Sequence, residues 1–164
     1  MIIGAGLAGL TCAQLLAATA VSVTVVDKGR GPGGRLATRR LDDERFDTGA
    51  QFFSVRDADF AAAVQAWEAA GVVKAWCDGF PLLGAPAARG DGHPRYLALG
   101  GMNRLAKHMA GGRAVRDQLT VTKLSPIAGR WQVRAETGEA TKSEATKSAA
   151  AEADQVHILR WMRS

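Results

Sequence analysis

A chain of 164 residues is long enough to bury one core, and an apolar share of 47% is ordinary for a globular protein in water. The net charge of +5 is mildly basic, and many of the cations fall in one stretch: Lys28, Arg30, Arg35, Arg39, Arg40 and Arg45, interleaved with Asp27, Asp42, Asp43, Glu44 and Asp47. No aromatic-rich or helix-turn-helix pattern accompanies them, which argues against nucleic acid and for a small polyanion such as a pyrophosphate.

Met1-Ile2-Ile3 reads as the tail of a first strand. Leu7 to about Ala18, rich in Ala and Leu, reads as a helix, and Val21 to Val26 is a β-branched run that predicts a strand. The first 26 residues carry no charge, but no Lys or Arg supplies a leader's basic region, and Gly4, Gly6 and Gly9 interrupt the apolar run. Cys12 lies in the apolar helix, where a small buried thiol is the default expectation. Cys12 and Cys77 make no disulfide framework, and His93, His108 and His157 are scattered, with no metal-ligand spacing. A reducing, cytoplasmic compartment is the expectation.

Residues 28–45 read as Gly- and Arg-rich loop, and Phe46 to Phe53 as a short extended piece turning at Thr48-Gly49. Asp57 is placed to cap a helix to about Ala70, whose Phe60, Val64 and Trp67 recur at helical spacing as core residues. Val72 to Trp76 reads as a strand, Phe80 to Pro94 as loop, and Tyr96 to Leu99 as a strand broken by Gly100-Gly101. Met102, Leu105 and Met109 mark one face of a short helix, and weak alternation near 113–124 and 130–136 predicts a hairpin. Glu139 to Ser143 is repeated at once as Glu144 to Ser148, a low-complexity stretch expected to be solvated helix or disorder. His157 to Ser164 has no clear partner pattern.

Gly4-Ala5-Gly6-Leu7-Ala8-Gly9 is G-x-G-x-x-G. It follows a strand-like stub, opens a helix and precedes a strand ending in Asp27, the context in which the pattern carries chemistry. Gly4 permits a tight turn, Gly6 leaves the backbone open to a pyrophosphate, and Gly9 lets helix and strand pack closely. The helix N-terminus offers unpaired N–H groups to the phosphates. A helix of about 12 residues spans about 18 Å. A right-handed crossover then returns Asp27 to the sheet edge that carries the glycine turn. There its carboxylate can accept hydrogen bonds from an adenosine ribose and would repel a 2′-phosphate.

Arg30-Gly31-Pro32-Gly33-Gly34-Arg35-Leu36-Ala37-Thr38 follows Asp27 and Lys28. Paired glycines let backbone N–H groups face an anion, and Arg35 can make charge-assisted bonds to phosphate oxygens. The stretch resembles the R-x-G-G-R-x-x-[S/T] signature of the flavin-containing amine oxidase superfamily, with one extra residue between Arg30 and Gly33. Phe46-Asp47-Thr48-Gly49-Ala50-Gln51-Phe52-Phe53 is similar to that superfamily's D-x-G-x-x-x-F element, and its Gly-Ala-Gln-aromatic form is closest to renalase-like proteins. Tyr96-Leu97-Ala98-Leu99-Gly100-Gly101-Met102-Asn103 resembles the same group.

The resemblance covers roughly residues 1 to 136 and implies an α/β fold: a Rossmann-like FAD-binding βαβ unit plus part of a β-rich substrate domain. It implies FAD as cofactor. Gly4, Ala5, Gly6, Leu7, Ala8, Gly9, Asp27, Lys28, Gly33, Gly34 and Arg35 would hold its ADP half, and Gln51 and Phe52 would approach the isoalloxazine ring. The reaction implied is two-electron oxidation of a small molecule, an amine or a dihydronicotinamide isomer, with hydride passing to the flavin and then to oxygen. No catalytic base is identified. The expected division is 1–56 for the βαβ unit with its Gly-Gly-Arg loop, 57–136 for a partial substrate domain, and 137–164 for a tail foreign to the family pattern. The first strand is short, and relatives continue with more substrate domain before completing the nucleotide domain. The pattern stops after Val156, so a truncated or frame-shifted product is the expectation. Two other functions stand beside the oxidoreductase: a non-catalytic FAD- or ADP-binding fragment, and an NAD-dependent dehydrogenase, which leaves residues 30–38 unexplained.

Overall fold

The computed structural model describes residues 1–80, 93–137, 149–153 and 157–158. In chain order the elements are β1 (Ile2–Ile3), α1 (Leu7–Ala17), β2 (Thr24–Val26), a 3-10 turn (Gly34–Leu36), β3 (Thr38–Leu41), β4 (Glu44–Asp47), β5 (Phe53–Ser54), α2 (Ala58–Ala69), β6 (Val73–Cys77), β7 (Arg95–Ala98), α3 (Asn103–Ala110), β8 (Ala114–Arg116), β9 (Leu119–Ile127), β10 (Arg130–Thr137), β11 (Ala149–Ala153) and β12 (His157–Ile158). They pack as two compact units, one of Met1–Gly34 with Met109–Ser164, the other of Arg35–His108.

The first unit is built on a sheet of order β12-β1-β2-β8. Ile2 pairs with Val25 and Ile3 with Val26 in parallel, the arrangement that a strand-helix-strand crossover produces. Ile2, Ala5, Leu10, Ala13, Val25 and Val26 are all at most 4% exposed, so helix and sheet share one apolar layer. Each buried Leu, Ile or Val there contributes roughly 1.5–3 kcal/mol. Three sequence expectations change in this unit. β2 begins at Thr24, not Val21, because its partners β1 and β8 are short, and Val21 is left exposed. Ala114–Arg116 separates from the expected hairpin and joins the sheet parallel to β2. His157–Ile158, which showed no partner pattern, lies parallel to β1.

The hairpin itself is β9 and β10, joined through Ala128 and Gly129, both at positive φ (48° and 78°). Two positive φ values are what a tight two-residue hairpin turn requires. β11 adds to the far side of β10, antiparallel. The Glu139–Ser148 repeat, most of the Phe80–Pro94 loop and residues 154–156 and 159–164 lie outside the described residues.

In the second unit, Asp57 accepts a hydrogen bond from the Phe60 N–H and starts α2, as its position before the apolar repeat predicts. Val64 and Trp67 are buried, and Phe60 packs on Trp67 and Phe53 at ring-centroid distances of 5.9 and 5.7 Å. A three-stranded antiparallel sheet of order β5-β7-β6 includes the strands expected near Val72 and Tyr96. Residues 38–45, expected as loop, instead form the β3–β4 hairpin together with Phe46 and Asp47, which were expected to be extended, and Asp42 lies at φ 52° in its turn. Aspartate tolerates that left-handed conformation better than most residues. One face carries Thr38, Arg40, Arg45 and Asp47, and on the other Leu41 and Phe46 stay exposed beside Arg39 and Glu44, so no period-two alternation announced the strands.

Candidate nucleotide-binding site

The glycine turn lies between β1 and α1. Gly4 takes φ 104°, a conformation that side chains disfavour, while its N–H donates to the Val26 carbonyl at 2.7 Å. A Cβ on Gly9 would collide with the Gly4 carbonyl oxygen and press on Ile2. That glycine is therefore demanded by packing alone. Gly6 differs: a Cβ there would meet nothing within 4 Å. The fold has no steric need of a glycine at position 6, whereas a ligand seated against the backbone would.

Gly6 is also the N-cap of α1, with no side-chain cap and no acidic residue in the first turn. The first N–H groups of a helix have no intrahelical acceptor and carry partial positive charge. Ser, Thr, Asp and Asn are the residues preferred for answering this; α1 begins without one.

Asp27, at the end of β2, reaches this turn. One carboxylate oxygen accepts from the Ala5 N–H and the other from the Gly29 N–H, each at 2.6 Å. These bonds fix the carboxylate beside the glycine turn, as the parallel crossover predicts. Its backbone is held from the other side, where its N–H donates to the Arg116 carbonyl and its carbonyl accepts from Leu119. Lys28 beside it is exposed.

The Gly33–Gly34 pair comes to the same place. Gly33 and Gly6 form a parallel bridge, and the Gly33 N–H donates to the Ala5 carbonyl at 2.9 Å. Both glycines have positive φ, 141° and 53°, and a Cβ on Gly34 would lie 3.5 Å from the Gly6 Cα. Three separate stretches of sequence, residues 4–9, 27–29 and 33–34, are thus joined by direct hydrogen bonds within one unit.

Arg35, Gln51 and Phe52 belong to the second unit. The Arg35 carbonyl accepts from the Ala50 N–H at 2.8 Å, and a Cβ on Gly49 would collide with that carbonyl. Gln51 is exposed. Phe52 packs against Trp76 and Phe80, ring centroids 6.2 and 5.2 Å away, with the Arg95 guanidinium 5.8 Å above its ring. Trp76 and Phe80 each remain about half exposed, at 51% and 48%.

The other residues of the flavoprotein-like motifs do structural work there. Asp47 accepts from the Thr38 hydroxyl at 2.6 Å and from the Met102 N–H at 2.9 Å, and Thr38 Oγ1 accepts from the Asn103 N–H at 3.0 Å. The two side chains together satisfy the Met102 and Asn103 amides at the start of α3, while the Arg104 and Leu105 amides donate to the Gly101 and Met102 carbonyls. The Gly-Gly-Met-Asn segment, the aspartate element and the end of the Gly-Gly-Arg signature meet in this one network. Sequence reasoning noticed the three motifs but not what ties them together.

Residues 2–67 match the family described as NAD(P)-binding Rossmann-like domain. That stretch has a Rossmann-like fold. A 66-residue segment is 46% identical to hydroxyneurosporene desaturase of Rubrivivax gelatinosus, covering 38% of this chain and 13% of that protein. The structure superposes on putrescine oxidase bound to putrescine with a TM-score of 0.66 at 16% identity, over 94% of this chain and 56% of that one. It also superposes on 2,6-dihydroxypyridine-3-hydroxylase of Arthrobacter nicotinovorans with a TM-score of 0.56 at 16% identity, over 94% of this chain and 35% of that one. The chain thus shares its fold with putrescine oxidase and with the hydroxylase. It spans little more than half of the putrescine oxidase chain. Among the described residues, no helix is long and apolar enough to cross a membrane.

Proposed function

We propose that this chain binds FAD and serves a flavin-dependent oxidation of a small reduced substrate. The observation that carries the reading is the bridge between Gly6 and Gly33, with Asp27 bonded to Ala5 beside it. A dinucleotide needs an open backbone turn for its diphosphate and a carboxylate for its ribose, and these lie within one hydrogen-bonded cluster. Gly6 to Gly9 at the start of α1, with Gly34 beside them, would present N–H groups to the diphosphate. Asp27 keeps acceptor capacity beyond its two backbone bonds, since an ionised carboxylate has about four lone-pair sites. It would take the ribose hydroxyls, while Lys28 adds positive charge nearby.

FAD supplies the redox chemistry when bound: it accepts a hydride from the substrate and passes the electrons on, with oxygen as the expected acceptor. The protein's part is to position and polarise. Arg35 is assigned to the phosphates and Gln51 and Phe52 to the flavin ring on their motif resemblance. The Gly-Ala-Gln-aromatic form at residues 49–52 favours a renalase-like subfamily and so a dihydronicotinamide isomer, with an amine as the other substrate class. The desaturase and putrescine oxidase similarities favour an oxidoreductase over a bare nucleotide-binding fragment.

The test is the visible spectrum of the purified chain after incubation with FAD and removal of the excess. Retained flavin absorbance, bleached anaerobically by a dihydronicotinamide isomer or an amine, is the expected result. A colourless protein that binds NADH and gives no flavin signal would overturn the assignment.

A further inference from the structure

The cationic stretch divides in the folded chain. Arg39, Arg40 and Arg45 lie on the β3–β4 hairpin and, with Thr38, Gly100, Asn103, Arg104 and Lys107, line a cavity of about 370 Å³ within the second unit. Hydrogen bonding places Arg40 directly opposite Arg45 across the hairpin, where like charges are destabilising. Arg104 and Lys107 stand one turn apart on α3, a second like-charge pair on one helix face. No carboxylate among the described residues forms an ion pair with any of these five cations.

Two of the guanidiniums are held in place. One Arg45 Nη donates to the Gly100 carbonyl at 2.9 Å, and one Arg104 Nη to the Leu99 carbonyl at 3.3 Å. Each retains further N–H donors. The α3 N-terminus is not the attractor, because the Met102 and Asn103 amides are already taken by Asp47 and Thr38. What remains is a set of cationic side chains around a concave space, with Asn103 also on its wall.

From this we infer that the cavity is an anion site for a phosphate-bearing small molecule, separate from the dinucleotide site of the first unit. Anchored guanidiniums match the paired oxygens of a phosphate group. The volume falls within the range of small-molecule pockets and exceeds what the phosphate group alone would fill. An occupying dianion would relieve both like-charge pairs. This inference does not require FAD binding.

The experiment uses the full chain labelled with ¹⁵N and titrated with inorganic phosphate, then glycerol 3-phosphate, at constant ionic strength. Saturable shifts of the Gly100, Asn103, Arg104 and Lys107 amides are expected with both. Arg40→Gln and Arg104→Gln should each weaken phosphate at least about threefold, and Lys107→Glu about tenfold, with dispersed spectra showing that each variant is folded. Shifts confined to residues 4–9 and 27–34 would overturn the inference, as would equal shifts with sodium chloride or affinities unchanged in all three variants. Phosphatidic acid vesicles that bind the chain while neither soluble phosphate shifts these amides would overturn it in favour of a lipid headgroup.

Discussion

The carboxylate of Asp47 accepts from the backbone N–H of Met102, 55 residues further along the chain, at 2.9 Å. The same oxygen takes the Thr38 hydroxyl, whose own oxygen takes the Asn103 N–H. A helix N-terminus is thus capped from a distant hairpin instead of by its own preceding residue. Asp47→Ala should lower stability by roughly 1–3 kcal/mol, because it strips a charged acceptor from two donors at once. Thr38→Val should cost about 1 kcal/mol. Urea unfolding of the two single variants and the double variant measures both values. A double variant that loses the full sum of the singles would show that the bonds do not act as one network.

Gly9 and Gly6 separate packing from binding. Gly9→Ala drives a methyl into the Gly4 carbonyl and should cost several kcal/mol or leave the protein insoluble. Gly6→Ala meets open space and should leave the melting temperature within a few degrees of the parent. It should nevertheless weaken FAD or ADP binding about tenfold or more, since the methyl occupies the approach to the backbone. Thermal melts and equilibrium titration of the two variants would reverse the reading if Gly6→Ala bound normally.

Asp27 is bound to the Ala5 and Gly29 amides before any ligand is considered. Asp27→Ala should therefore both destabilise the chain, by roughly 2–3 kcal/mol, and weaken adenosine nucleotides. Asp27→Asn keeps one acceptor oxygen and should lie between parent and Ala in both measurements. A variant with normal stability and lost binding would mean that the backbone bonds are incidental.

In the second unit, Leu105 is 1% exposed on the buried face of α3. Leu105→Ala should cost about 2–5 kcal/mol through the cavity it leaves. Gly49→Ala should be at least as damaging, because its methyl has no room beside the Arg35 carbonyl. Denaturant midpoints for the pair check the order.

Much of this could be read along the chain. The glycine turn, α1, the β-branched strand and Asp27 follow one another within 24 residues, from Gly4 to Asp27. Local propensity and helix length suffice to place them, and that is why the Rossmann-like unit was legible. The cap of α2 at Asp57 and the apolar face of α3 were legible for the same reason: each depends on residues three or four apart.

What only the tertiary structure decided are the relationships between segments whose separation carries no local signal. β8 left its expected hairpin for the parallel sheet because the open edge of β2 offered it backbone partners. The β3–β4 hairpin formed from mostly polar residues, with Leu41 and Phe46 left exposed, held by ladder bonds and the Thr38–Asp47 contact. The same folding gathered Arg40, Arg45, Arg104 and Lys107 around one cavity. Hydrogen-bond pairing and electrostatics act through space, so residues some sixty positions apart become neighbours that no periodicity in the sequence records.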